Sequence, residues 1–351
     1  MGVTLGEGRF SCAGGQIGVL LLPDYPFRRA MRQVLCAVIL LATGGSSHAL
    51  AWGCDAHQAV AILAERLLDP STVITMRAVL AASPIDPAIK PFCRSVAGDP
   101  IADAATWADD DRAIHPSTAG WHFIDFPLVL GANVGDYRRY CPNGNCVIDA
   151  IVAQYRILRT TADRTVKGNA LRYLIHFVGD LHQPLHTTTN GDRGGNCLPI
   201  TYYDQVPRED EFHNFRPNLH SVWDDGTIRR LMATRGLADS RALADFVAGN
   251  GALHAVKAEA PTTASVASWA RDANAIARTI TYGKLPASVP LEPAETFSLG
   301  SCDDNNHASR RMAALAERID ATYEQASVPV IMSQLRLAAE RLAAISKAAF
   351  P

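Results

Sequence analysis

The sequence predicts an all-α fold, a single multi-helix domain with long loops. Three observations point there: apolar residues recur at helical spacing in several segments, strand-like alternation is sparse, and Pro-, Gly- and Asp-rich stretches separate the segments. Residues 57–68 form the first such segment, and 148–162, 169–183, 264–282 and 308–325 follow. The last, 329–349, is rich in Ala, Leu, Arg and Glu, all good helix formers. Strand signals are confined to Trp121–Phe126 and Gln205-Val206. The stretch from Thr187 to Asn218 reads as one long polar loop, and long ordered loops in compact domains tend to carry function.

The first 51 residues read differently from the rest. Arg28, Arg29 and Arg32 precede an apolar run from Val34 to Ala42, and small residues lead to Ala49-Leu50-Ala51. A basic stretch, a short apolar core and an A-x-A site describe a secretory signal peptide, too short in its apolar run to anchor in a bilayer. Met31 lies just ahead of that run, so residues 1–30 are an extended basic region or a misassigned start. Cleavage after Ala51 leaves residues 52–351 as one domain, exported to the periplasm or the medium, with no membrane attachment and no sign of more than a monomer.

The leader holds four Lys/Arg and two Asp/Glu, so removing it takes the formal charge from −2 to −4. A mildly acidic chain carries no overall electrostatic footprint for nucleic acid, and any affinity for phosphate must be local. Six cysteines remain after the leader. Cys141 and Cys146 bracket Pro142-Asn143-Gly144-Asn145, a turn that a local disulfide closes readily; no pairing is assigned to the other four. Their scattered spacing lacks the paired C-x-x-C form of zinc sites.

Histidines and aspartates cluster in a way that composition does not require. His176 and Asp180 stand four apart, on one face of one helix, and His220 and Asp224 repeat the spacing. Pro184 must break the first of these helices, which frees His186 to turn toward the same region. Trp107-Ala108-Asp109, Trp121-His122 and Asp55-Ala56-His57 add further ligand types. Five imidazoles and three carboxylates are too many for one tetrahedral zinc and suit a multinuclear centre. Such a centre is also a local source of positive charge.

These motifs resemble the S1/P1 nucleases, a family of zinc-dependent single-strand nucleases and 3′-nucleotidases related in architecture to the zinc-dependent phospholipases C. The likeness runs through WGCDAH at 52–57, WADDDR at 107–112, WHFID at 121–125, HFVGDLHQPLH at 176–186, DRGGN at 192–196 and NLHSVWD at 218–224. It implies three Zn²⁺ ions. One would be held by Asp109, His122, His176 and Asp180, and a second by His186, His220 and Asp224. The third would take the α-amino group and carbonyl of Trp52, with His57 and a bridging Asp180. The resemblance also implies catalytic roles for Arg112 and Asp180, and base contacts by Phe123 and Asp125. Its substrates would be single-stranded DNA and RNA, cut to 5′-phosphate products, and 3′-nucleotides.

Two other functions compete. A zinc-dependent phospholipase C-like phosphodiesterase would be expected to carry Glu where Asp224 stands and to lack the HQPLH and DRGGN loops. A non-catalytic exported zinc-binding protein would have had reason to lose Arg112 or a ligand, and all are present. For Phe123 a core role competes with base stacking, and for Arg112, at the end of the run Asp109-Asp110-Asp111, a solvated surface charge is the alternative. His115, His182, His213, His254 and His307 fit no motif and are expected to be structural.

Overall fold

The computed structural model describes residues 8–12, 15–19, 52–211, 213–296, 302 and 307–351. Two compact units divide the chain, Met1–His48 and Ala49–Pro351. In the first, β1 (Gly8–Cys12) pairs antiparallel with β2 (Gly15–Val19). The apolar run of the leader and its cleavage site lie outside the described residues. No described helix is long and apolar enough to cross a membrane.

The second unit is built on α1 (Cys54–Glu65), which is buried continuously from Ala56 to Ala64. A helix buried all round belongs at the centre of its domain. Four alanines on it, Ala56, Ala59, Ala61 and Ala64, let neighbouring backbones approach. Its first turn faces the metal-ligand region through His57. Two shorter helices, α2 (Pro70–Ala81) and α3 (Pro100–Ala104), lead to α4 (Trp107–Ile114). The long pair α5 (Val147–Thr160) and α6 (Arg164–Leu181) pack side by side. Asp163 caps α6 by accepting from the Val166 amide at 2.9 Å.

Helix α6 stops at Leu181, and a 3-10 turn over Pro184–Thr187 carries His186, as the proline requires. After the long loop, α7 (Leu219–Ser221) opens with a capping box on Asn218. It runs through a π turn, Val222–Gly226, into α8 (Thr227–Arg235). π turns inside helices are frequent at functional sites, and this one holds Asp224. Helices α9 (Ser240–Gly249) and α10 (Thr263–Ile276) complete the middle of the chain.

The C-terminal third departs from the helix boundaries read from the sequence. Helix α11 (His307–Ala314) ends early, and Ala316 takes a left-handed φ of 47°. A strand, β6 (Glu317–Ile319), then pairs in parallel with β3 (Ile200–Tyr202). Asp320 caps α12 (Ala321–Ala349), which continues straight through Pro329. The proline therefore does not divide two helices; the left-handed residue and the aspartate cap set the boundary instead. Trp121–Phe126 begins in a 3-10 turn and only then extends. Its amides and carbonyls bond the 186–189 segment, with Ile124 N to His186 O at 2.8 Å and Thr189 N to Phe126 O at 2.9 Å. Two further two-residue strands, β4 (Arg208–Glu209) and β5 (Phe215–Arg216), lie in the loop.

The six cysteines after the leader are all paired. Cys141–Cys146 is the expected local bridge, and Cys54–Cys93 and Cys197–Cys302 are disulfides as well. The four cysteines left unpaired in the sequence reading were too far apart along the chain for spacing to reveal their partners.

Candidate metal centre

Three groups of side chains converge, each with one potential ligand atom per residue within 4.8 Å of the others: Asp109, His122 and His176; His57, His176 and Asp180; His186, His220 and Asp224. A fourth group, Cys141, Cys146 and Asp149, has its sulfurs bonded to each other, which leaves no thiolate to ligate. Asp180 sits at the middle, fully buried. Its Oδ2 is 3.0 Å from His122 Nδ1 and 3.1 Å from His176 Nε2, and its Oδ1 is 3.2 Å from His57 Nε2. The second cluster closes through His186 Nε2 and His220 Nε2, 3.1 Å apart, with Asp224 Oδ2 3.2 Å from His220. Tetrahedral zinc with bonds of about 2.0–2.1 Å separates its ligand atoms by roughly 3.3 Å, so these spacings fit such an ion.

The outward-facing ring nitrogens identify which atoms are free to ligate. His176 Nδ1 donates to the Ala105 carbonyl at 2.7 Å, His186 Nδ1 to the His122 carbonyl at 2.8 Å, and His220 Nδ1 to the Gly194 carbonyl at 2.8 Å. Each bond orients its ring so that Nε2 turns inward, the usual arrangement behind a metal-bound histidine. Buried polar atoms without a hydrogen bond gather at the same place: both nitrogens of His57, His122 Nε2, Asp109 Oδ1 and Asp180 Oδ1. Two glycines make the approach possible. A Cβ on Gly179 would come 2.7 Å from His57 Nδ1, and one on Gly194, at φ +60°, would come 2.4 Å from the Leu185 carbonyl.

Protons alone satisfy this cluster poorly. Burial holds His122 down to about 4 and His220 down to about 3. His176 goes up to about 9, because Asp180 and Asp109 outweigh its burial. Asp180 is held well below the carboxylate range: its burial is overcome by His176 and His186 and by hydrogen bonds from His122 and His176. Asp224 is driven well above that range by burial, then by Asp180, Asp109 and Asp225, against a hydrogen bond from Gln183. A divalent cation at each focus would let every carboxylate ionise and every imidazole stay neutral, so the donor set fits zinc.

The remaining candidates fall around this core. The run Asp109-Asp110-Asp111 divides its tasks. Asp109 faces the cluster, Asp110 accepts from the Phe92 amide at 3.0 Å, and the buried Asp111 accepts from Tyr173 and bonds His115 at 2.9 Å. Arg112 is not a free surface charge: its Nη2 is 3.2 Å from Asp109 Oδ1 and its side chain is 18% exposed. Phe123 is 40% exposed between buried His122 and Ile124, which removes the core reading. Asp125 is pushed up to about 7 by burial and by Asp192, against Arg193. Trp52 is buried at 1% exposure, and the next residue, Gly53, donates its amide to the Asp224 carbonyl at 2.7 Å. Trp107 and Trp121 pack edge-on against Tyr173 and serve as walls.

The five unassigned histidines all have partners outside the cluster. His115, His213 and His254 bond Asp111, Glu209 and Glu340, and His307 bonds Arg310. His182 donates to the Val178 carbonyl and accepts from Arg341, whose guanidinium lies 4.6 Å from the Trp269 ring centre. Sequence reasoning missed three supports of the site. Gln183 bonds Asp224, Asn274 bonds the 126 and 187 carbonyls, and Tyr282 donates to Asp192 at 2.9 Å. Gln183 had a signal in its place beside Pro184 in the HQPLH motif and Tyr282 a weaker one in the C-terminal continuation of the likeness, whereas Asn274 had none.

A family model described as S1/P1 Nuclease matches residues 52–351. Nuclease P1 of Penicillium citrinum is 30% identical over 246 residues, covering 65% of this chain and 81% of that protein. Endonuclease 3 of Arabidopsis thaliana is 30% identical over 204 residues, and Nuclease S1 of Aspergillus oryzae 29% over 203; each match covers 56% of this chain and 61% of the relative. With the family match covering every element of the buried histidine–aspartate cluster, the chain belongs to the S1/P1 nuclease family.

Proposed function

We propose that this chain is a zinc-dependent endonuclease that hydrolyses single-stranded DNA and RNA to 5′-phosphate products and removes 3′-phosphates from nucleotides. Membership of a nuclease family supports nucleic-acid hydrolysis. The observation that carries the finer reading is Asp180, a fully buried carboxylate whose two oxygens face imidazoles on three different elements. A carboxylate so placed suits a bridge between two of three ions. Asp109, His122 and His176 would complete one site, His57 with the amine and carbonyl of Trp52 another. His186, His220 and Asp224 would hold the third. Zinc held there supplies Lewis acidity and a water that ionises near neutral pH.

The residues around it orient the substrate. Arg112, steadied beside Asp109, offers its guanidinium to phosphate oxygens, where a planar fork binds in bidentate fashion. The exposed ring of Phe123 takes a splayed base by stacking, which duplex geometry denies, and Asp125 contacts that base. Signal-peptide cleavage after Ala51 would create the Trp52 amine, so export and activation coincide. The mature chain acts as a monomer outside the cytoplasm.

The test is zinc per chain and the first residue of the exported protein, read with turnover of single-stranded DNA, RNA and 3′-AMP. About three ions, Trp52 at the terminus and single-strand cleavage are expected. Phe123→Ala should lower turnover of single strands; unchanged turnover would remove the base-stacking role. Fewer than two ions, or a different first residue, would overturn the trinuclear assignment.

A further inference from the structure

A cavity of about 480 Å³ lies outside the histidine–aspartate cluster, lined by Trp121, Tyr137, Arg138, Asp149, Gln154 and Arg156 among others. Its distinguishing member is Gln154. This side chain is only 7% exposed, it lines the cavity, and among the described residues its amide makes no hydrogen bond. The other buried positions of α5 are apolar. An amide that faces a cavity takes its hydrogen bonds from what fills the cavity.

The rest of the lining is already committed or lies at the rim. Tyr137 donates its hydroxyl to Asp149 at 2.7 Å. The Arg138 guanidinium lies 5.2 Å from the Tyr137 ring centre and is 3.5 Å from Asp136, with 69% of its side chain exposed. Arg156 is exposed and has no ion pair among the described residues. The cavity therefore offers aromatic walls, one amide that both donates and accepts, and two cations at the rim. The Asp149 carboxylate repels an anion from the interior, which leaves the rim as the place for a phosphate.

We propose that this cavity binds an adenine nucleotide, with the base edge on Gln154 and the phosphate on Arg138 and Arg156. A glutamine amide matches N6 and N7 of adenine in a bidentate pair, aromatic walls favour the ring, and arginine forks favour phosphate. Cavities of this size are ordinary for small-molecule sites. The chain also links the cavity to the candidate centre. Trp121 directly precedes His122, and the first amide of α5, Val147 N, donates to the Phe123 carbonyl at 3.0 Å. Resting on the nuclease reading, the cavity is a second foothold for a single strand whose scissile nucleotide lies at Phe123.

The test titrates 5′-AMP into the mature, metal-loaded enzyme by calorimetry, alongside Gln154→Ala and Arg156→Glu. Both variants should weaken one binding component about tenfold, the loss expected of a bidentate base contact or a phosphate contact. They should raise KM for a long single strand while leaving kcat, and turnover of 3′-AMP, unchanged. Arg156 is exposed, so its variant carries the test if Gln154→Ala folds poorly. Identical titrations for wild type and Arg156→Glu overturn the proposal. If single strands stay intact but 5′-AMP binding drops in the variants, the nuclease reading fails and the cavity stands. If single strands are cut and the titrations coincide, the cavity fails alone.

Discussion

Gln183 donates its side-chain amide to Oδ1 of Asp224 at 2.6 Å, while its carbonyl oxygen accepts from the Leu185 amide at 2.6 Å. One side chain thus locks both the turn after α6, which supplies His186, and the π turn, which supplies Asp224.

Replacing Gln183 by alanine should therefore loosen Asp224 without touching any proposed ligand. Supports of this kind typically carry about 10–100-fold in metal affinity or activity. Competition with a chromophoric chelator measures it, and an unchanged zinc affinity would show that Asp224 is held by its other contacts.

Gly179→Ala sets two effects against each other. Helix propensity favours alanine by about 0.8–1.0 kcal/mol. The new methyl carbon would nevertheless come 2.7 Å from His57 Nδ1, on a buried ring stacked 4.1 Å from His176. The clash should win locally. We expect the variant to remain folded by far-UV circular dichroism yet to bind fewer zinc ions per chain; full zinc content would mean the ring moves aside at no cost.

Asp125 gives a pH dependence whose sign is fixed. Burial and Asp192 raise its folded-state pKa to about 7, above the unfolded value of about 3.9. Between those values the folded chain binds a proton that the unfolded chain does not, so stability from this group falls as pH rises from about 4 to about 7. Asp125→Asn removes the penalty. The melting temperature of the variant relative to wild type should climb across that window, and a constant difference would place the carboxyl in solvent.

The Cys197–Cys302 bridge spans a separation of 105 residues and fastens the loop that carries Asp192 to the C-terminal region. Serine at both positions should cost about 2–5 kcal/mol, measured by urea denaturation of the metal-loaded protein. A loss under about 1 kcal/mol would mean that packing around the bridge suffices without it.

The helical class and the histidine–aspartate cluster were legible in the sequence. Ligands four apart on a helix and a proline just beyond it are local signals. What stayed hidden depends on contacts between distant segments. Nothing near Cys54 points to Cys93, and nothing near Gln154 marks its amide as facing a cavity. The junction before α12 was misread because Pro329 is a conspicuous helix breaker, whereas Ala316 gives no sequence hint of its left-handed backbone. Phe123 was ambiguous because an exposed and a buried aromatic look alike in a short apolar run.

Helix α12 packs directly against α1, the element that carries His57, and also against α6, which carries His176 and Asp180. The two helices lie at opposite ends of the described part of this unit, so the bed of α1 is built from sequence far from it. Loss of α12 would remove a main packing neighbour of the helix that carries His57. Damage to the far helix would thus reach the ligand set through packing alone, with no proposed ligand touched.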